Sequence, residues 1–147
     1  MSNTGNRTGP GRTFGPEEGK KQAAAASGGA KQNRRQIGSA YEGIAEAFLK
    51  ERGLEIWQRN FRDRFGEIDL IAWDPAAREL VFCEVKYRRS AAFGSPEAAV
   101  NASKQERIRH TARYFLHMRQ MDETTPCRFD VIAIEGSTIR WVKDAFV

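Results

Sequence analysis

Gly66-Glu-Ile-Asp-Leu-Ile-Ala-Trp73 and, five residues later, Glu79-Leu-Val-Phe-Cys-Glu-Val-Lys86 are the stretches that decide the fold of this chain. Both are short, rich in β-branched and aromatic residues, and alternate with a period of two, the pattern of a strand. In the first, Ile68, Leu70 and Ala72 are expected on one face and Glu67, Asp69, Ile71 and Trp73 on the other. In the second, Leu80, Phe82, Glu84 and Lys86 share one face, and Val81, Cys83 and Val85 the opposite one. Asp74-Pro75 marks the turn between them. Each strand carries charge where charge is disfavoured: Asp69 mid-strand, Glu84 and Lys86 at a strand end among apolar residues.

Outward from this pair, the pattern continues in both directions. Leu54 to Phe61 reads as a strand, followed by a turn over Arg62 to Gly66. Ala40 to Arg52 reads as a helix with Ile44, Ala45, Phe48 and Leu49 as its apolar stripe, ended by Gly53. Ser39-x-x-Glu42 has the form of a capping box at its start. After Lys86 a loop runs through Gly94, and Ser95-Pro96-Glu97 reads as one helix start. Ser103-x-x-Glu106 reads as a second, opening a helix to about Arg119 that buries Ile108, Ala112, Phe115 and Leu116. Cys127 to Ile134 and Thr138 to Val142 read as strands around a Glu135-Gly136-Ser137 turn. The order is α-β-β-β-α-β-β. Three strands on short turns form an antiparallel meander, and the helix after the third lets the fourth return parallel to it. The expectation is an α/β fold with a mixed central sheet flanked by helices.

The chain has 147 residues, enough for one domain. Residues 1–37 hold 7 of the 13 glycines and few large apolar side chains, so they are expected to form a disordered basic arm. Residues 38–147 form the domain. The arm carries seven Lys/Arg against two Glu, which is the whole net charge of +5; the domain is neutral. A basic arm either adds salt-sensitive affinity for phosphates or solubilises the chain. Within the domain, Glu84 to Arg113 holds seven basic and three acidic residues, a local positive face able to attract a polyanion. No apolar run is long enough to span a membrane and no signal-peptide pattern is present, so a cytoplasmic protein with reduced Cys83 and Cys127 is expected.

Chemistry concentrates on the two opening strands. If they pair around the Asp74-to-Arg78 turn, Asp69 and Glu84 lie near each other at one end of the sheet. Two carboxylates can hold a hard cation such as Mg²⁺ or Mn²⁺ through oxygen, which polarises a phosphate and acidifies water. A lysine two residues from a ligand shares its strand face and can reach the same water or a developing oxyanion. Phosphodiester hydrolysis needs these parts.

The spacing of Asp69, fourteen residues, Glu84, one residue, Lys86 resembles the Asp…Glu-x-Lys motif of the restriction-endonuclease-like superfamily, and the element order resembles its core. A closer resemblance, to the small bacterial YraN-like family related to archaeal Holliday-junction resolvases, covers Gly38 to Phe146 and none of the arm. It rests on Gly38-x-x-x-Glu42-x-x-Ala45, Arg59-Asn60-Phe61, Gly66-Glu67-Ile68-Asp69-Leu70-Ile71, Phe82-x-Glu84-Val85-Lys86-x-Arg88, Phe93-Gly94-Ser95-Pro96, Lys104, Arg128-Phe129-Asp130-Val131 and Ala145-Phe146. The resemblance implies metal-binding roles for Asp69 and Glu84, a catalytic role for Lys86 and a further acidic role for Glu42. Tyr41 departs from the family, which often has Gly there, and puts a bulky group beside Glu42.

Bland readings stand beside these. Glu42 is equally a capping glutamate, Glu84 and Lys86 a surface ion pair worth little, and Asp69 a solvated carboxylate. Arg88, Arg89, Lys104 and Arg107 are either phosphate contacts or a solvated face; Arg128 and Asp130 share a face and can pair with each other. His110 and His117 have no third ligand at useful spacing, which argues against zinc. The leading expectation is a Mg²⁺- or Mn²⁺-dependent endonuclease acting on DNA, with branched DNA as one candidate substrate; a two-fold symmetric substrate of that kind would suit a homodimer. The other is a nucleic-acid-binding or accessory module that keeps the fold without cutting. Nothing in these residues separates DNA from RNA.

Overall fold

The computed structural model describes residues 27–88 and 100–147, with side chains from residue 33 onward. Two helices, α1 (Ser27–Glu51) and α2 (Ala102–Met118), and five strands are described: β1 (Glu55–Arg62), β2 (Glu67–Asp74), β3 (Glu79–Arg88), β4 (Cys127–Glu135) and β5 (Thr138–Phe146). The strands form one sheet in the order β1-β2-β3-β4-β5. Every neighbouring pair is antiparallel except β3 and β4, which are parallel across the connection that contains α2. This is the expected meander with a crossover return.

The sheet is covered on both faces. Tyr41, Ala45 and Leu49, four apart on α1, pack over Leu70, Ala72, Val81, Cys83, Ile132 and Ile134. Ile108, Ala112, Phe115 and Leu116 on α2 pack over Ile68, Ile71, Leu80, Phe82 and Val131. Cys83 is a free, buried thiol whose pKa burial pushes up, so it serves as core.

Helix α1 starts at Ser27, well before the expected Ala40, because Gln32, Arg34 and Arg35 are good helix formers and Gly38 is tolerated inside. Ser39 is therefore mid-helix, and the capping-box reading of Glu42 falls. At the other end Gly53, at φ 93°, closes a Schellman motif, with the Leu54 N–H on the Leu49 carbonyl. The α2 capping box is corrected too: the cap is Asn101, whose side chain accepts the Lys104 N–H at 2.8 Å. The expected helix start at Ser95-Pro96-Glu97 lies outside the described residues, as do Arg89 and residues 1–26.

One facing expectation fails. Ile68 joins Ile71 in the α2-side core, whereas Leu70 and Ala72 join the α1 side, so the alternation breaks across Asp69. The same break occurs opposite, on β1. Arg59 reaches toward α1 and Phe61 packs on Phe115 of α2, because the intervening Asn60 sits at φ 53°, a left-handed residue inside a strand. A shift of register between Ile56 and Gln58 adds a bulge nearby.

Candidate active site

That break positions the site. The β2–β3 ladder begins at the pair Leu70 and Cys83, and on the other side of it the two strands fork. Asp69 stands at the fork, where its carboxylate accepts the Val85 N–H at 2.8 Å in place of a backbone carbonyl. The side chain thus satisfies a β3 amide that the diverging β2 leaves behind. Glu84 is adjacent on β3 and is only 4% exposed. From α1, Glu42 joins them: all three carboxylates line one cleft of about 350 Å³, together with Tyr41, Val85, Tyr87 and Arg34.

The electrostatics of the cleft are strained. Burial, followed by the negative charge of Glu84 and then those of Glu42 and Glu67, pushes the Asp69 carboxyl up to about 8, against the opposing Val85 hydrogen bond. Glu84 is met by two ammonium groups, Lys104 at 3.1 Å from α2 and Lys86 at 3.6 Å from its own strand. Glu42 and Glu46, one turn apart, both face Arg59, at 3.8 and 3.6 Å, and Arg59 also donates to the Ser39 carbonyl.

The candidates named from the sequence therefore divide. Glu42, Asp69 and Glu84 share the cleft; Lys86 and Lys104 reach it through Glu84. Arg88 is turned to Glu135 at 2.6 Å, and Arg107 is exposed on α2. Arg128 and Asp130 do pair, at 3.1 Å, and Arg128 also holds Asp74 at 3.0 Å and Glu79 at 3.1 Å. This network sits where β2 ends and β3 and β4 begin, the opposite end of the sheet from the fork. Sequence reasoning passed over Arg59, Tyr41 as a wall of the cleft, and Tyr87. Tyr41 and Tyr87 stack at 4.1 Å, and their buried hydroxyls have no hydrogen-bond partner among the described residues. The Arg59-Asn60-Phe61 motif was visible, but only the left-handed Asn60 reveals why Arg59 turns to the acidic helix.

Hard oxygen donors on two adjacent strands suit Mg²⁺ or Mn²⁺, which is commonly held by one or two carboxylates together with water and substrate phosphate. Among the described residues no group of three or more His, Cys, Asp or Glu is drawn close enough to hold an ion by itself. Asp69 and Glu84 are the two that would hold such an ion.

A mixed sheet with a helix on each face, forked at an acidic residue beside Glu-x-Lys, is a restriction-endonuclease-like core. Residues 41–134 match the uncharacterised protein family UPF0102. A UPF0102 protein of Colwellia psychrerythraea is 44% identical over 114 residues, covering 74% of this chain and 87% of the relative. One from Lachnoclostridium phytofermentans is 44% identical, covering 78% and 95%. The UPF0102 protein YraN of Salmonella newport is 45% identical, covering 77% and 86%. The chain belongs to the UPF0102 family. Among the described residues no helix is long and apolar enough to cross a membrane.

Proposed function

We propose that this protein is a Mg²⁺- or Mn²⁺-dependent endonuclease acting on DNA, branched DNA included. The observation that carries this reading is the convergence of Glu42, Asp69 and Glu84 on one cleft, with Asp69 held at the fork and its carboxyl raised to about 8. Crowded carboxylates destabilise one another unless a cation or a proton relieves them, and perturbed acids of this kind concentrate at functional sites. Asp69 and Glu84 would hold the ion, with Glu42 assisting; bound there, it would supply positive charge for the phosphate and acidify the attacking water. Lys86 and Lys104, now on Glu84, would be released toward phosphate oxygens, and Lys86 would stabilise negative charge that develops on them. A two-fold symmetric substrate would suit a homodimer.

A second reading, a binding module that does not cut, draws on one observation: Glu84 and Glu42 are already satisfied by Lys86, Lys104 and Arg59. One experiment separates them. The purified chain is incubated with a four-way junction, a flap, linear duplex and single-stranded DNA, with Mg²⁺, Mn²⁺ or EDTA. Metal-dependent cutting by the wild type that disappears in Asp69→Asn is the expected result. Tight binding without cutting on every substrate, or equal cutting by the variant, would favour the binding module.

A further inference from the structure

Phe65, Tyr114, Met118 and Val147 are the large apolar side chains left exposed among the described residues, and Phe65, at 46% exposure, is the one held out by a built support. It sits in the turn between β1 and β2. The Asp63 carboxylate accepts the N–H of Phe65 at 2.9 Å, the N–H of Gly66 at 3.0 Å and the hydroxyl of Thr111 on α2 at 2.8 Å. The Asp63 N–H closes the turn on the Gly66 carbonyl at 3.0 Å. Gly66 lies so close to α2 that a Cβ there would meet Arg107 Cβ at 3.2 Å. The turn is thus fixed to the helix by its own hydrogen bonds, and the exposed part of the phenyl ring is not needed to hold it.

The ring has company suited to a polyanion. His110 stacks on it at 4.8 Å with an interplanar angle of 21°, and the Arg64 guanidinium is 5.2 Å from its centroid. Along α2, Lys104, Arg107 and His110 follow at intervals of three and share one side of the helix. Lys104 touches Glu84 at 3.1 Å. From Lys104 to His110 the helix rises about 9 Å, so Lys104 and Arg107 lead from the cleft to the aromatic pair, with the Glu106 carboxylate 3.9 Å from His110 beside them. Arg64 and Arg107 make no ion pair among the described residues.

We propose that Phe65 and His110 form a stacking platform for one unpaired nucleobase, on a strand whose phosphates follow Arg107 and Lys104 toward the Glu84 cleft. An aromatic face beside a basic groove is the general recipe for holding a single strand, because every base has a π-face and every nucleotide a charge. The direction toward the cleft rests on the nuclease reading; the stacking does not. The platform makes forked or single-stranded DNA the preferred class over continuous duplex, whose bases are already stacked on one another.

The test uses the full chain in EDTA, so that binding is read without cleavage. Labelled oligothymidine, a fork and a blunt duplex are titrated against wild type, Phe65→Ala and Phe65→Trp. Phe65→Ala should weaken oligothymidine and fork binding about tenfold and duplex binding by under about twofold. Phe65→Trp should keep the affinity, and the emission added by its indole should be quenched by oligothymidine. Unchanged single-strand binding in Phe65→Ala, an equal loss on duplex, or unquenched emission would overturn the proposal. Loss of self-association in Phe65→Ala with DNA binding intact would assign the ring to contact between copies and overturn it as well. A Phe65 effect in a chain that cuts nothing would sink the nuclease reading and leave the platform standing.

Discussion

At the scale of the residue, Asp69 carries a cost that the fold does not need. Its folded value of about 8 lies above the ordinary 3.8, so the folded chain binds more protons between those values. Stability from this group therefore falls as pH rises from about 4 to about 8 and stays reduced above that. Asn at this position keeps an acceptor for the Val85 N–H and removes the charge. Asp69→Asn is expected to raise unfolding free energy by about 1–3 kcal/mol at pH 9, with little gain at pH 4, as read by urea melts at the two pH values. A variant less stable than wild type at pH 9 would mean that Asp69 is an ordinary structural carboxylate. Asp69, Glu84 and Lys86 were legible in the sequence because each is a charge placed where a strand normally has none. Glu42 was legible only through family resemblance, since its sequence surroundings mimic a cap.

At the scale of the element, local hydrogen-bond chemistry decides boundaries that periodicity only brackets. The buried stripes of both helices and all five strands followed from periods of 3.6 and two. The helix starts did not, because Ser39 and Ser103 have the cap-forming chemistry but lie inside helices, while Asn101 holds the α2 cap. Asn101→Ala should cost about 1 kcal/mol, measured by thermal or urea unfolding, whereas Ser103→Ala should change stability by less than about 0.5 kcal/mol. At the C-terminus of α2, Gln120 does the work of a glycine: at φ 56° it donates to the His117 carbonyl while the Met121 N–H reaches Leu116. Gln120→Gly should stabilise the protein by about 0.5–1 kcal/mol by removing the left-handed penalty. The strand break at Asn60 and Asp69 was not legible, because period-two reasoning assumes unbroken alternation and a single left-handed residue reverses it.

At the scale of the molecule, the two ends of the sheet do different work. The far end is tied by Arg128, which holds Asp74, Glu79 and Asp130, while Asp130 also accepts the Trp141 indole N–H at 2.9 Å and the Asp144 N–H at 2.9 Å. Four strands meet in that network. Arg128→Met should cost about 3–5 kcal/mol in urea unfolding, because it strands Asp130, which is fully buried. A change below about 1 kcal/mol would show that the pairs are solvated. The topology was legible, since a meander followed by a helix leaves the fourth strand a parallel return. The network was not, because its bonded partners are up to 54 residues apart in the chain (Asp74 and Arg128) and only pairing register brings them together.

The near end, with its fork and crowded carboxylates, is where a cation would act. The direct measurement is Mn²⁺ binding to the full chain by calorimetry from pH 6 to pH 9, in wild type and Asp69→Asn. Binding must displace the Asp69 proton below about 8. Affinity should therefore rise about tenfold per pH unit up to that point, level off above it, and drop sharply in the variant. Affinity independent of pH and equal in the two proteins, or no binding at any pH, would contradict a divalent-cation site at Asp69.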